Sequence, residues 1–209
     1  MRTALISDIH GNADALHQVL SDIAAQNCDR ILCLGDLVEG GEQNEAVVAC
    51  LQQQGIACVQ GNHDAINDAG LKPETQDFLD QLPIEIIEGQ ICFTHISPRR
   101  MKRKIQTIYE AWNVFEECHY HRLFIGHLHF PVIFGQKSED FACATLWPFV
   151  YNQPFELNPE DRYIMCVGSV GYGRDRLGKI RYGIYDNARQ TIEMRALTGP
   201  LLAMDWSLR

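Results

Sequence analysis

Short polar motifs combining aspartate, asparagine and histidine recur along this chain, each directly after an apolar run. Five of the eight histidines lie in them. A lone Asp or Asn after a strand is usually a turn residue or a helix cap, but turns do not require histidine. The set therefore predicts a binding site with donors from Asp8, His10, Asp36, Asn62, His63, His95, His127 and His129.

The donor types indicate metal chemistry. Carboxylate, imidazole and amide groups without a thiolate suit divalent transition-metal ions such as manganese, iron, zinc, nickel or cobalt. One zinc ion normally takes three or four protein ligands. Apart from His63, the motifs supply seven donors, which is too many for one ion and about right for two ions that share a ligand. A carboxylate has two oxygens and can bridge, so Asp36, in the middle of the set, is the candidate bridge.

The first half of the chain alternates short apolar strands with helices. Asn12 is placed to cap the first helix, and Gly55 follows the end of the second. Such alternation predicts a sheet that is covered on both faces. The predicted strands are 4–8, 31–36 and 56–60. One predicted helix begins at Asn12, and two others cover 42–54 and 73–82.

Strands predominate in the second half. One helix interrupts them at 104–118, with Ile105, Ile108, Tyr109, Trp112 and Phe115 on one face. We predict an α/β fold, a four-layer α-β-β-α sandwich of two mixed β-sheets packed face to face with helices outside, in a single domain over 1–209. In layered sheets of this kind ligands bind at the carboxyl ends of strands, where all the motifs fall.

Composition narrows the function classes. The net charge of −9 argues against general nucleic-acid binding. No apolar stretch reaches the roughly 18 residues that cross a bilayer, so no membrane partner is expected. The amino terminus is predicted to be a strand and not a signal peptide. The eight cysteines are scattered singly without a CxxC pair, which favours reduced thiols and a cytoplasmic protein.

Taken together, the motifs resemble those of the calcineurin-like metallophosphoesterases, especially the small single-domain bacterial and archaeal phosphodiesterases. The resemblance covers most of the chain and implies two β-sheets packed face to face with helices outside. A late element, GSVGYGRD at 168–175, is also similar to the family's pattern. The matching motifs are D-x-H at 8–10, G-D at 35–36, G-N-H-D at 61–64, a lone histidine at 95 and G-H-x-H at 126–129.

The resemblance implies a role for each donor. His63 would be a catalytic histidine beside the leaving group and not a metal ligand. The neighbouring Asp64 either orients that imidazole or serves only the turn. One ion would be held by Asp8, His10, Asp36 and His129, and the other by Asp36, Asn62, His95 and His127.

The activity implied is hydrolysis of a phosphodiester or of a small phosphate ester, including nucleotide-like substrates. Our hypothesis is direct attack of a hydroxide that bridges the two ions, without a covalent intermediate. A phosphomonoesterase is an alternative within the same chemistry. A scaffold, like the retromer subunit that keeps this fold with an impaired metal site, is the alternative outside it. The H-x-H-x-D-H string of β-lactamase-like zinc hydrolases is absent from the sequence.

Two departures from the family pattern concern substrate choice. The segment LVEGG after Asp36 lacks the D-R-G of larger Ser/Thr phosphatases, which weakens a protein-phosphatase interpretation. His95 is followed by ISPRR, where many relatives have glycine. The basic run 99–104 is expected to be a solvated loop, although Arg99 or Arg100 could contact substrate phosphate. Arg174 and Arg176 offer a similar option, and Arg174 is favoured because it lies in the family-like element.

The remaining histidines and the aromatic residues near 147–155 receive simpler predictions. His17, His119 and His121 are expected at the surface. Trp147, Phe149, Tyr151 and Phe155 are expected to pack over a hairpin, with base stacking in a nucleotide site as the alternative. The candidate substrate-binding residues are therefore two arginines, Arg99 and Arg174.

Overall fold

The computed structural model describes residues 1–174 and 178–203. Those residues form twelve strands and five helices. In chain order the elements are β1 (Arg2–Ile6), α1 (Ala13–Ala24), β2 (Arg30–Cys33), α2 (Asn44–Gln53), β3 (Ala57–Cys58), α3 (Asn62–Ala65), α4 (Pro73–Asp80), β4 (Glu85–Glu88), β5 (Ile91–Thr94), α5 (Ile108–Glu117), β6 (Arg122–Ile125), β7 (Pro131–Gly135), β8 (Thr145–Leu146), β9 (Pro154–Glu156), β10 (Tyr163–Val167), β11 (Ile180–Asp186) and β12 (Thr191–Leu197).

Two six-stranded sheets carry the architecture. Their strand orders are β3-β2-β1-β11-β12-β9 and β4-β5-β6-β10-β7-β8. Both sheets are mixed, because β1 pairs in parallel with β2 and antiparallel with β11, while β10 pairs in parallel with β6 and antiparallel with β7. The predicted fold class, two mixed sheets packed face to face with helices outside, is confirmed.

The strand period of two separates the layers. On β1, Leu5 joins the apolar cluster between the sheets, whereas Ala4 and Ile6 join the cluster under α1 and α2. A third cluster seats α5 on the outer face of the second sheet. Each sheet is therefore apolar on both faces, which explains why its strands are nearly continuous apolar runs in the sequence.

Local signals fix the ends of the first two helices as predicted. The side chain of Asn12 accepts a hydrogen bond from the backbone N–H of Ala15 and so caps α1. Gly55 follows α2 with a φ of +62°, the left-handed conformation that ends many helices. None of the helices in the described part of the chain has the length and apolar character of a membrane span.

Two local predictions differ from the structure. The third strand is only Ala57–Cys58, and the helix α3 follows where none was predicted. On α5, Tyr109 is 64% exposed, and Ala111 and Val114 face the core in its place.

The aromatic residues near 147–155 have the packing role that was predicted as their default. Phe149, Tyr151 and Phe155 pack against the apolar cluster between the sheets. Phe155 lies on the edge strand β9, and its ring centroid is 6.2 Å from that of Trp147.

Candidate metal centre

The donors predicted from the sequence converge at the carboxyl ends of β1, β2, β3, β5 and β6. Among the described residues, groups of Asp and His side chains that could hold a metal ion number two, and Asp36 belongs to both. Within each group the ligand atoms lie within 4.8 Å of one another. The first group is Asp8, His10, Asp36 and His129, and the second is Asp36, His95 and His127.

Asn62 adds a fourth donor to the second group. Its side-chain oxygen lies 2.9 Å from Nδ1 of His127. With Asn62 included, the two groups match the two ligand sets that the resemblance implied. The first sheet supplies the donors that follow β1, β2 and β3, and the second sheet supplies the histidines that follow β5 and β6. The centre therefore lies on the seam between the two sheets.

An unusual backbone places five of these donors. They have positive φ, the left-handed conformation that non-glycine residues rarely adopt. Residues held in this way cost about 1–3 kcal/mol each and cluster at functional sites. Hydrogen bonds from the backbone N–H groups of Ile9 and His10 to the carbonyl of Asp36 hold two of the loops together. The φ values are 54° at Asp8, 53° at His10, 56° at Asp36, 67° at His127 and 64° at His129.

Three of the histidines are oriented by backbone carbonyls. Nδ1 of His10 lies 2.7 Å from the carbonyl oxygen of Glu39. At the same distance, Nδ1 of His95 faces the carbonyl oxygen of Leu34, and Nδ1 of His129 faces that of Tyr172. When Nδ1–H donates to a carbonyl, the lone pair of Nε2 is free to face the cluster. Metal-binding histidines are commonly held in this way.

Two buried atoms also fit a cation. Oδ2 of Asp36 and Nε2 of His95 are buried 3.0 Å apart, and neither makes a hydrogen bond to any other described group. With the His95 proton on Nδ1, which faces the carbonyl of Leu34, two lone pairs face each other there, so a cation, either a proton or a metal ion, is needed between them. A divalent metal ion, which accepts both kinds of donor, satisfies them. The residues present therefore fit the metal that the donor types predict.

The pKa shifts of most of these groups favour the protonation states that metal ligands need. Burial raises the pKa of Asp8, but the neighbouring His129 and other histidines outweigh it and hold that pKa well below its usual value. Burial likewise opposes ionisation of Asp36, yet His95 lowers its pKa. Burial lowers the pKa of His10 and of His127 to about 4. At neutral pH both carboxylates are ionised and both imidazoles are neutral, as metal binding requires.

His95 differs from the other histidines. Burial disfavours its charged form, but the carboxylates of Asp36 and Asp8 outweigh burial and raise its pKa to about 9. In the metal-free protein a proton on His95 thus balances the carboxylates. A cation held by Nε2 would displace that proton, so metal affinity would depend on pH.

The Asp64 side chain holds loops together, and the carboxylate that meets the His63 ring is that of Glu39 instead. Its carboxylate accepts hydrogen bonds from the backbone N–H groups of Asp36, Leu37 and Gly61, at 2.9, 2.8 and 2.8 Å. Burial and the charge of Asp36 raise its pKa to about 6. Of the two roles considered from the sequence, the structure places Asp64 in the backbone role. It fixes the loop after β2 against α3.

Glu39 is the residue that contacts the predicted catalytic histidine. Its Oε2 lies 2.5 Å from Nδ1 of His63, and its backbone carbonyl receives His10. The His63 ring lies 5.1 Å from the His10 ring, and the His63 backbone N–H donates to Oδ1 of Asp36 at 2.9 Å. Sequence reasoning missed Glu39, although its place three residues after Asp36, in the same loop, was an available signal.

Two motif glycines allow the loops to approach this closely. A Cβ on Gly61 would lie 2.2 Å from both the backbone nitrogen and Oδ1 of Asp36. A Cβ on Gly126 would lie 2.1 Å from Oγ of Ser7 and 3.0 Å from Oδ2 of Asp8. Both distances are too short for any side chain, so the glycines of G-N-H-D and G-H-x-H are required by packing.

The candidate substrate arginines lie at the edge of the centre or away from it. The guanidinium of Arg99 forms a two-point pair with Glu117 on α5, with Nε 2.7 Å from Oε2. Its contact with substrate stays a prediction and would require that pair to open. Arg174 is exposed, and its backbone N–H points to the carbonyl of His129 at 3.4 Å. Arg176 lies outside the described residues. His17, His119 and His121 are exposed, as predicted.

A four-layer sandwich with a buried cluster of aspartate and histidine at one edge is typical of the metallophosphoesterase class. Comparison with known families agrees, because residues 1–148 match the calcineurin-like phosphoesterase superfamily domain. The chain belongs to this superfamily, which confirms the resemblance. That residues 1–209 form one domain stays a prediction.

Individual relatives support the same membership. The protein MJ0912 of Methanocaldococcus jannaschii is 30% identical over 222 residues, which cover 91% of this chain and 85% of the relative. The crystal structure of a metallophosphoesterase from Sphaerobacter thermophilus superposes with a TM-score of 0.84 at 27% identity, covering 95% of this chain and 89% of that one. A structure described as a novel archaeal phosphodiesterase has a TM-score of 0.54 at 17% identity over 94% of this chain and 100% of its own, and it shows the fold alone.

Proposed function

We propose that this protein is a phosphoric ester hydrolase that uses two divalent metal ions to cleave a phosphodiester or a small phosphate ester, including nucleotide-like substrates. The observation that carries the proposal is the pair of donor groups that share Asp36, with His63 directly beside them. A single structural ion would need only one of the two groups. Membership of the calcineurin-like superfamily supports the same chemistry.

The proposed ligands follow the two groups. Two ions held side by side lower the pKa of water and neutralise charge on the phosphoryl oxygens during an in-line displacement. The donor set accepts manganese, iron, zinc, nickel or cobalt. One ion would be bound by Asp8, His10, Asp36 and His129, and the other by Asp36, Asn62, His95 and His127.

His63 is the proposed catalytic residue. It is half-buried and its Nδ1 is engaged by the carboxylate of Glu39, so Nε2 is the nitrogen left to meet the substrate. A protonated imidazole in that place can stabilise the phosphoryl group or deliver a proton to the departing oxygen. The contact with Glu39 fixes the orientation of the ring, and Glu39 is therefore a positioning residue.

The proposed setting is the cytoplasm. All eight cysteines are free, and five of them are buried. Scattered, unpaired thiols suit a reducing compartment. The net charge of −9 supports a small substrate over general nucleic-acid binding.

A metal-reconstituted screen tests the proposal. The purified protein is stripped of metal, loaded separately with each candidate ion, and assayed with bis(p-nitrophenyl) phosphate and p-nitrophenyl phosphate. Cleavage of the diester supports a phosphodiesterase, and cleavage of the monoester alone supports a phosphatase. Cleavage of neither substrate with any ion contradicts the enzymatic proposal and favours a scaffold.

A further inference from the structure

A small cavity opens directly beside the second donor group. Its volume is about 180 Å³. Its lining includes Asn62 and His95 of the second group, together with Ile84, Ile96 and Lys102. The cavity therefore joins the proposed site of one ion to an apolar surface and a single ammonium group. A substituent of a substrate whose scissile phosphate sits on the ions would enter here.

Lys102 is available to a ligand in this cavity. Its Nζ donates one hydrogen bond to the backbone carbonyl of Ser97 at 2.8 Å, and the side chain is otherwise exposed. No carboxylate of the described residues lies within ion-pairing distance of Lys102. An ammonium has three N–H groups, so two remain for an anion.

The rest of the basic run points the same way. Residues 99–104 hold five of the chain's eighteen lysines and arginines, on a protein with a net charge of −9. Glu117 engages Arg99, whereas Arg100, Arg103 and Lys104 are exposed without an ion pair within the described ranges.

The surroundings of the first donor group have the reverse character. There the Glu39 carboxylate stands against His63, and Tyr172 packs edge-on against His10 with ring centroids 5.8 Å apart. A negatively charged substituent on that side would meet Glu39. On the side of the cavity it would meet Lys102.

We propose that the cavity beside Asn62 and His95 binds a second phosphoryl group of the substrate, and that Lys102 selects substrates that carry one. The inference rests on the proposed function, because it takes the scissile phosphate to lie at the metal centre. The leaving group would then face His63, and the retained substituent, with its second phosphate, would occupy the cavity against Ile84 and Ile96. The substrate class is a phosphodiester whose retained half is itself phosphorylated.

Matched nucleotides test the proposal by binding and by turnover. Calorimetry on the manganese-loaded protein compares thymidine 5′-phosphate with thymidine 3′,5′-bisphosphate, which differ by one phosphoryl group. Turnover compares the 5′-(p-nitrophenyl) esters of the same two nucleotides. We expect the additional phosphate to improve affinity and kcat/KM about tenfold, the effect of one charge-assisted hydrogen bond. A ratio near one in the wild-type protein overturns the proposal.

Variants locate the effect. Lys102→Met should reduce the preference for the bisphosphate to about twofold or less, whereas Lys102→Arg should keep most of it. The matched control is Lys137→Met, since Lys137 is an exposed lysine after β7 that lies 3.7 Å from Glu160 and does not line the cavity. An equal loss of affinity for both nucleotides in Lys102→Met contradicts selection by this residue.

The two proposals fail in distinguishable ways. If neither p-nitrophenyl ester is cleaved while the calorimetric preference is present and depends on Lys102, the proposed hydrolysis fails and the binding site stands. If the esters are cleaved at equal rates and the nucleotides bind equally, hydrolysis stands and the inference fails. Metal content measured on each variant separates loss of selection from loss of ions.

Discussion

The two halves of the metal centre share Asp36 but lie in different surroundings. All four donors of the first group are buried, and the Glu39–His63 pair stands beside them. In the second group His127 is half-buried, and a cavity with an ammonium at its wall opens next to it. We propose that the first half handles a proton and that the second half receives charge on the substrate. Similar donor sets in the two groups therefore do not imply similar roles in the reaction.

The largest effect is expected where the two halves meet. Asp36→Ala should abolish binding of both ions and lower kcat/KM roughly 10³-fold or more, because several kcal/mol of charge stabilisation is lost. Metal analysis and diester hydrolysis measure the two effects. Asp80→Ala, at an exposed position ending α4, is the control and should resemble the wild type. Two tightly bound ions in Asp36→Ala would refute the shared ligand.

Removing one histidine from each half should separate the halves. His10→Ala and His127→Ala should each lose one ion, with a fall in affinity larger than the roughly 100-fold cost of losing an outer hydrogen-bond partner. Because His127 is half-buried, the second ion should leave first when the wild-type protein is titrated with a chelator. Stoichiometry by elemental analysis checks both points. Loss of both ions from both variants would mean that the two halves bind as one unit.

His63→Ala should affect proton delivery without affecting the ions. With a poor leaving group, such as an alkoxide, turnover should fall about 10²–10⁴-fold, because a general acid is lost. With nitrophenolate, which leaves without a proton, the fall should be much smaller. Metal content serves as the control and should stay normal. Equal losses on the two substrates would rule out the acid role.

Glu39→Gln should have a smaller effect of the same kind. The backbone carbonyl that orients His10 is kept, so metal content should not change, while the charge beside His63 is removed. We expect a loss of about tenfold to 100-fold in turnover, the range seen when a supporting carboxylate is removed. Glu39→Asp should recover part of it. If Glu39→Gln loses metal, the side chain supports the first half as well as His63.

The smallest effect is expected at Arg99. Its pair with Glu117 is partly exposed, so Arg99→Ala should lower the free energy of unfolding by about 1 kcal/mol or less. Chemical denaturation measures that change. KM for the diester should stay within about twofold, because one exposed ion pair is worth little. A clear rise in KM would show that Arg99 leaves Glu117 to bind substrate.

Periodic and local signals explain what the sequence predicted well. The alternation of strands and helices, the cap at Asn12 and the glycine after α2 all act within a few residues, so the sequence contains them in full. The donors could be predicted because they follow strands that end at one edge. Glu39 was missed because its contact with His63 joins the loop after β2 to α3, which meet only in the folded chain, so that its place near Asp36 was the one local signal. The exposure of Tyr109 likewise depends on which face of α5 the second sheet covers.

The left-handed backbone at five of the donors has a consequence for heat tolerance. Histidine gains nothing locally from a φ near +65°, so the conformation at His127 and His129 is maintained against a cost in stability. Glycine at these two positions would remove that local cost, but at His129 it would also take away the imidazole that lies 3.2 Å from the buried Asp8 carboxylate and holds its pKa low. Selection for thermostability without selection for turnover would thus tolerate loss of the half-buried His127 before loss of His129.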